Sequence, residues 1–466
     1  MIILDFLQDI LTEPAFLIGM ISFVGLVAMK SKFHKVLTGT MGPIIGYLML
    51  SAGAGVIVEN LSPLADMIEH GFNITGVVPN NEAVVSVAQE ILGVETMTIL
   101  VVGLLFNLLI ARFTRFKYVF LTGHHSFFMA ALLSAVLGAL DMSGVEIILV
   151  GGFLLGAMSA ILPALGQKQT LKVTEGEDLA MGHFSSLGYY FSGIIGKLVG
   201  KGSKSTEEIE VPEKYAFLRN TTISTALTMV IFYIFAALVA GPEFVSGLSE
   251  GKNYLIFAIL AGLNFAVGVA IVYAGVRMIL SDLIPAFQGI ATKVIPNAVP
   301  AVDCAVFFTF APTAVIIGFL MSFLGGIVGM LVLGAVGGVL IIPGMVPHFF
   351  TGATAGIYGN ATGGRRGAMV GSFVNGLAIS FLPALLLPVL GDLGFTNTTF
   401  GDTDFAAIGI ILGQIGNWIG HTGIYTIVGI VALILVIPSF MSVLPNALQL
   451  TSPLVALSPQ SFRLSP

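Results

Sequence analysis

Charge is what this chain has least of. Asp, Glu, Lys and Arg make up 9% of its 466 residues, against about 25% in soluble globular domains. That scarcity, with a hydrophobic content of 56% and a mean hydropathy of +1.00, excludes an ordinary soluble domain. Cysteine is nearly absent too. Cys304 stands alone, so neither an internal disulfide nor a CxxC metal site can be built. There is no Walker A phosphate loop and no polar stretch long enough for a fused soluble domain. Energy for any transport is therefore expected from an ion gradient or from another polypeptide. The net charge of −6 says little in so apolar a chain, where the distribution of charge among loops matters more than the sum, and no nucleic-acid partner is expected. The opening segment MIILDFLQDILTEPAF has no basic region and no small-residue cleavage site, so a cleaved signal is not expected. Ile2, Ile3, Phe6, Leu7, Ile10 and Leu11 instead share one helical face, the pattern of a short interfacial helix.

What the chain has in abundance is long apolar runs. They recur at bilayer-spanning length, while the short alternating segments of a membrane β-barrel are missing. The expected fold is an all-α polytopic membrane protein with about 11 transmembrane helices. The expected spans are 14–29, 37–58, 94–111, 118–139, 145–165, 221–241, 254–279, 300–322, 324–343, 367–390 and 422–446, with broken or re-entrant segments at 176–200 and 405–420. Lys30, Lys32 and Lys35, Arg112, Arg115 and Lys117, Lys168 and Lys172, and the basic residues from Lys197 to Arg219 all fall on one side if the chain starts outside. The positive-inside bias then places the C-terminus in the cytoplasm.

The most polar segment, GKGSKSTEEIEVPEKY, divides two hydrophobic halves. The chain is expected to form one integral membrane domain, 1–466. It would hold a first repeat half at 14–199, a cytoplasmic linker at 200–220, a second half at 221–446 and a cytoplasmic tail at 447–466. Two five-helix halves suggest an inverted repeat. Residues 61–83 can be laid on 283–305, so that Pro63 meets Pro285 and Pro79 meets Pro300. Glu82 and Asp303 then each lie three residues after the second proline, and HSFF at 125–128 corresponds to HFF at 348–350.

Ionisable groups inside a membrane cost about 2.5–3.5 kcal/mol each on insertion scales, so they persist where they face a cavity, a partner or a solute. Asp303 is the first such candidate. It lies in PNAVPAVDCAVFFTFAP, where Pro296, Pro300 and Pro312 interrupt helical hydrogen bonding. Its carboxylate could accept solute hydroxyls or act as a base, or it could cap a helix. His124 and His183 each follow a glycine in an apolar setting. Imidazole can donate and accept at once, and the glycine permits close backbone approach. The structural alternative is a histidine bonded to a carbonyl at a helix end. His125 reads as a neighbour with a packing or interfacial role. Glu82, in VVPNNEA, reads either as a site carboxylate opposite Asp303 or as a loop charge. Cys304 has no neighbour in sequence to lower its pKa and reads as inert packing. Arg277 reads as a partner of Asp282 or a snorkelling cation, and Arg365 and Arg366 as an inner-loop anchor. No His, Cys and Asp set has metal-ligand spacing, so neither a metal nor a cofactor is expected.

These motifs carry a resemblance. The run GVRMILSDLIPAFQGIATKVIPNAVPAVDCAVFFTFAPTAV at 275–315 resembles the ascorbate-type membrane component, IIC, of bacterial sugar phosphotransferase systems. So do LTGH at 121–124, EGEDLAMGHF at 175–184 and VLIIPGMVPHFFTGATAGIYGNATGGRRGA at 339–368, and the likeness extends from about residue 15 to 445. The resemblance implies eleven spans, an inverted repeat, a homodimer in the bacterial cell membrane, and a core domain moving as an elevator. It implies a sugar-like solute phosphorylated by a phosphocysteine on a separate IIB component, which is charged through IIA, HPr and enzyme I from phosphoenolpyruvate. The chain would carry no phosphorylated residue of its own. His124, His183 and Asp303 match polar positions of the family pocket, with Asp303 a candidate base. Ser51, Asn81, Glu82, Phe128 and Phe184 would shape the rest. Ascorbate carriers have glutamine at the positions of Ser51, Phe128 and Phe184, and tyrosine at that of Glu82. The solute is thus expected to be L-ascorbate or a related small hydroxylated molecule. An ion-coupled secondary carrier of the same fold, with Glu82 and Asp303 as proton or sodium sites, stays open. So does a membrane receptor without transport.

Overall fold

A computed structural model describes residues 13–73, 76–79, 81–209, 221–249, 251–391 and 399–450. The expected interfacial helix at 2–11, residues 210–220 of the expected linker and residues 451–466 of the expected tail lie outside the described residues.

Thirteen α-helices carry the described chain: α1 Pro14–Ala28, α2 Phe33–Phe72, α3 Asn81–Phe113, α4 Gly123–Gly138, α5 Gly144–Val173, α6 Ser186–Val199, α7 Thr221–Ala240, α8 Pro242–Leu248, α9 Tyr254–Gly289, α10 Pro312–Ala335, α11 Met345–Gly391, α12 Thr403–Ile419 and α13 His421–Leu450. Local chemistry sets several of their ends. Pro14 opens α1, where its missing N–H costs nothing, and the Glu13 carboxylate accepts from Ala15 N at 3.4 Å. Ser143 and Glu146 form a reciprocal capping box at the start of α5. The end of α2 falls at Asn73, whose φ of 51° is left-handed and closes the last turn.

Six described helices are long and apolar enough to cross a bilayer, or seven if Thr225–Ala240 and α8, bent by 117°, form one span. α1, α4 and α13 contribute shorter apolar helices. This is a helical, multi-pass membrane protein. The elements differ from the sequence expectation where hydropathy averages over breaks. The two spans expected at 300–322 and 324–343 are instead a strand, a 3-10 turn at Cys304–Thr309, and one helix, α10. The prolines at 300 and 312 bracket the non-helical part, and Pro312 occupies the first turn of α10. The stretch before 367, where no span is expected, is already helical. α11 runs from Met345 and is interrupted at Gly363 and Gly364, the latter with φ 57° and ψ −152°.

Three short strands, β1 Tyr118–Phe120, β2 Ala180–Met181 and β3 Val299–Val302, form a parallel sheet in the order β1–β3–β2. Phe120 and Ala180 both register with Ala301, and Met181 with Val302. Within a bilayer, open backbone is tolerated only when protein encloses it or it lines a cavity. Ala301, Val302, Phe120, Ala180 and Met181 are all buried. β3, from the second half of the chain, lies between two strands from the first.

Candidate functional site

Each strand ends just before a residue that sequence singles out. His124 follows β1, in the first turn of α4. His183 follows β2, ahead of α6. Asp303 follows β3 and caps the 3-10 turn, its Oδ1 accepting from Ala305 N at 3.0 Å. Because the strands are parallel and in register, all three residues emerge at the same edge of the sheet. This is the edge where polar solutes bind in parallel α/β sheets as well.

Gly182 makes this approach possible. Its N–H donates to Val302 O at 2.8 Å, and a Cβ at this position would overlap the Ala301 carbonyl. The glycine therefore serves strand contact, while the histidine after it serves the cavity.

The cavity has a volume of about 770 Å³. Ser51, Asn81, His124, Phe128, His183 and Asp303 all line it. Phe184 does not. Its ring is fully buried behind the cavity, stacked on Phe120 at 4.9 Å and near Phe405 at 5.7 Å. The side chain of Glu82 lies outside the described residues.

His124 bridges two walls. Its Nε2 lies 3.5 Å from Asp303 Oδ2 and its Nδ1 lies 3.2 Å from the Tyr47 hydroxyl on α2. One ring nitrogen thus faces a carboxylate and the other a phenol, and imidazole can donate on one side while accepting on the other. His183 is held from behind, with Nδ1 2.9 Å from the Tyr189 hydroxyl and 3.9 Å from Asp402 Oδ1. Asn81 ties Asp402 in place: its Nδ2 donates to Asp402 Oδ2 at 2.6 Å, and its Oδ1 accepts from Gly401 N at 2.9 Å.

Sequence reasoning passed over Tyr47 and Asp402, which also line the cavity, and gave His125, another lining residue, only a packing or interfacial role. His125 is buried, with its ring 3.7 Å from that of His183 and stacked on Phe405 at 5.5 Å. Phe184 N donates to its Nδ1 at 3.3 Å. A backbone N–H cannot accept, so Nδ1 holds a lone pair and the proton of the neutral ring sits on Nε2. Asp402 and Asp404, in FGDTDF, could have been found by the intramembrane-charge argument that selected Asp303. Asp404 does not reach the cavity. It caps α6, accepting from Ser186 N at 2.9 Å, Leu187 N at 3.0 Å and Ser186 Oγ at 2.7 Å.

Residues far apart in sequence also meet as possible metal donors. His124, His125 and Asp303 form one group, and His183, Asp303 and Cys304 another, with donor atoms inside each group within 4.8 Å of one another. Spacing along the chain hides both groups. Cys304 is buried at the cavity wall. Arg277 is exposed on α9, whereas Arg365 is tied to the segment after α6, its N donating to Lys204 O at 2.8 Å and its Nε to Ser205 O at 3.1 Å.

Such a pocket offers carboxylate acceptors, imidazole donors and an aromatic face at Phe128, a combination suited to a small hydroxylated solute. Comparison with known proteins points the same way. The family model EIIC-GAT, described as a PTS system sugar-specific permease component, matches residues 9–404. A curated relative, the ascorbate-specific PTS system EIIC component of Mycoplasma pneumoniae (strain ATCC 29342 / M129 / Subtype 1), is 26% identical over 425 residues. The match covers 78% of this chain, and the chain spans 63% of the length of that relative.

Proposed function

The chain belongs to the family of sugar-specific permease components of the phosphotransferase system, and on that footing we propose that it carries L-ascorbate or a related small hydroxylated solute into the cell. The observation that carries this reading is the convergence of His124, His183 and Asp303 on one cavity at the ends of three parallel strands. His124 and His183 orient the solute. Ser51, Asn81 and Phe128 shape its surroundings together with Glu82, and Phe184 backs His125.

In this reading a IIB protein approaches from the cytoplasm with a phosphocysteine charged from phosphoenolpyruvate through enzyme I, HPr and IIA. Asp303 takes the proton of a solute hydroxyl, and the hydroxyl oxygen attacks phosphorus. The P–S bond breaks and the IIB thiolate leaves. The solute phosphate, now charged, cannot return. The core bearing the three-stranded sheet moves as an elevator within a homodimer of eleven-span subunits related internally by an inverted repeat, with the N-terminus outside and the C-terminus in the cytoplasm. The test is accumulation in proteoliposomes. Solute phosphate should build up only when phosphorylated IIB is enclosed. Equal uptake of unmodified solute, driven by a proton or sodium gradient without IIB, would replace this reading with an ion-coupled carrier.

A further inference from the structure

We infer that Tyr47 competes with the solute for His124, so that solute binding breaks a hydrogen bond joining the two walls of the cavity. The inference rests on the cavity being the solute site of the permease reading, and it adds to that reading a link between solute binding and separation of those walls.

The walls belong to two groups of helices. α1, α2 and α9 pack backbone to backbone: a Cβ on Gly46 would overlap Gly275 O and Ile279 N, one on Gly53 would overlap Gly268 O, and one on Gly25 would overlap Ala286 O. The helices around the three-stranded sheet interlock in the same way, Gly156 of α5 against Asn107 of α3, Gly196 of α6 against Gly359 of α11, and Gly318 of α10 against Gly352 of α11. The cavity lies between these groups. Tyr47, Ser51 and Val58 of α2 line one wall, and His124, His183 and Asp303 at the sheet edge line the other. Beside the cavity, Tyr47 and Leu50 face Leu121, Val302 and Val306 across a small crevice. Side chains meet there, where within each group backbones do.

The bond between the Tyr47 hydroxyl and His124 Nδ1, at 3.2 Å, crosses from one wall to the other. The second ring nitrogen, Nε2, is 3.5 Å from Asp303 Oδ2. Both nitrogens therefore have protein partners, and a solute hydroxyl that bonds to His124 must replace one of them. Tyr47 is the partner that yields. Asp303 shares the sheet edge with His124 and is fixed there by Ala305 N, which donates to Oδ1 at 3.0 Å. Those two residues move together, whereas Tyr47 belongs to the opposite group. The His124 side chain is 38% exposed, so a solute can reach it. Tyr47 is 5% exposed, and its hydroxyl, once displaced, has little water to turn to. Bond and solute exclude each other, so removing the hydroxyl should favour solute binding and separated walls alike.

The experiment compares the full-length protein with Tyr47→Phe, which loses the hydroxyl and keeps the ring. Binding of L-ascorbate and of a hexitol is measured by calorimetry. Spin labels at Lys35→Cys on α2 and Lys172→Cys on α5, both exposed positions, report the distance between the two groups. Cys304 is buried, and the protein without the added cysteines gives the labelling background. Tyr47→Phe should bind whichever probe the unmodified protein binds about 2- to 10-fold more tightly, the worth of one ordinary hydrogen bond. Without any probe it should already show the distances that the unmodified protein adopts only with one. Weaker or unchanged binding overturns the inference, because the phenol then supports His124 and does not compete for it. An unchanged distance distribution overturns it too. If Tyr47→Phe does not fold, Tyr47→Leu removes the same hydroxyl and is read in the same way. Failure of both probes to bind the unmodified protein counts against the permease reading, while the distance comparison needs no solute and still decides the role of Tyr47.

Discussion

Gly182 shows how one missing methyl group positions a side chain of the candidate site. The backbone of Ala301 occupies the space that a Cβ would need, so Gly182→Ala must push β2 away from β3 and carry His183 with it. The expected outcome is loss of solute binding together with a stability loss of about 1–3 kcal/mol, the usual size of overpacking, measured by calorimetry and thermal unfolding in detergent. Asp303→Asn keeps the shape and one acceptor but removes the charge. Its binding should fall about 10- to 150-fold, matching the roughly 1.5–3 kcal/mol of a hydrogen bond to a charged group. An affinity unchanged by Asp303→Asn would remove this residue from the site. His124, His183 and Asp303 were legible in the sequence because a polar group within apolar runs needs a reason to be there. Asp402 is equally anomalous, yet nothing in FGDTDF distinguishes it from Asp404 two residues on. Only the fold turns one carboxylate to the cavity and the other to the start of α6. Tyr47 was illegible for a related reason: tyrosine is common in helices of this kind, and its partner lies 77 residues away.

Helix ends carry much of the site's rigidity. Asp404 satisfies two backbone donors at the start of α6 from within a fully buried setting, and Thr403 Oγ1 donates to it as well at 2.9 Å. Asp404→Ala would leave those donors unpaired, at about 1–3 kcal/mol each. A large drop in melting temperature is expected, with Asp404→Asn less affected because its amide oxygen still accepts. A second carboxylate works similarly at the start of α10. Glu207, on the short 3-10 turn Thr206–Glu208, accepts from Thr313 N and Ala314 N, both at 3.1 Å, at the start of α10. Glu207→Ala should cost about 1 kcal/mol, as loss of a helix cap does. Limited proteolysis around residues 200–220 should quicken while solute affinity is retained. If cleavage does not change, the segment is held by its other contacts, among them Thr206 N donating to Asn360 Oδ1 at 2.8 Å and Arg365 Nε donating to Ser205 O. Neither cap was visible in sequence. Hydropathy located most of the long helices but could not show that 300–322 contains a strand, because β3 is as apolar as any helix around it. Its prolines are the available signal in the sequence, and they leave its backbone unspecified.

Across the whole molecule, the expected halves at 14–199 and 221–446 are joined by more than the polar segment between them, since β3 pairs with strands of the first half on both sides. The two halves should therefore be stable only together. Fragments divided within residues 210–220 and expressed separately should be degraded, whereas co-expression should restore a complex that binds solute. Recovery of binding by the first fragment alone would contradict the role given to β3. The same arrangement has a consequence for how the protein is made. β1 and β2 leave the ribosome well before the strand that pairs with both, and until then their facing backbone groups have no partners in a medium that supplies none. Their final geometry depends on a contact distant in sequence, the kind that forms late. Synthesis must pass Val302 before any cavity exists, so insertion of the first helices precedes creation of the site. A nascent chain stalled short of that point has its first helices made and nothing yet to bind with.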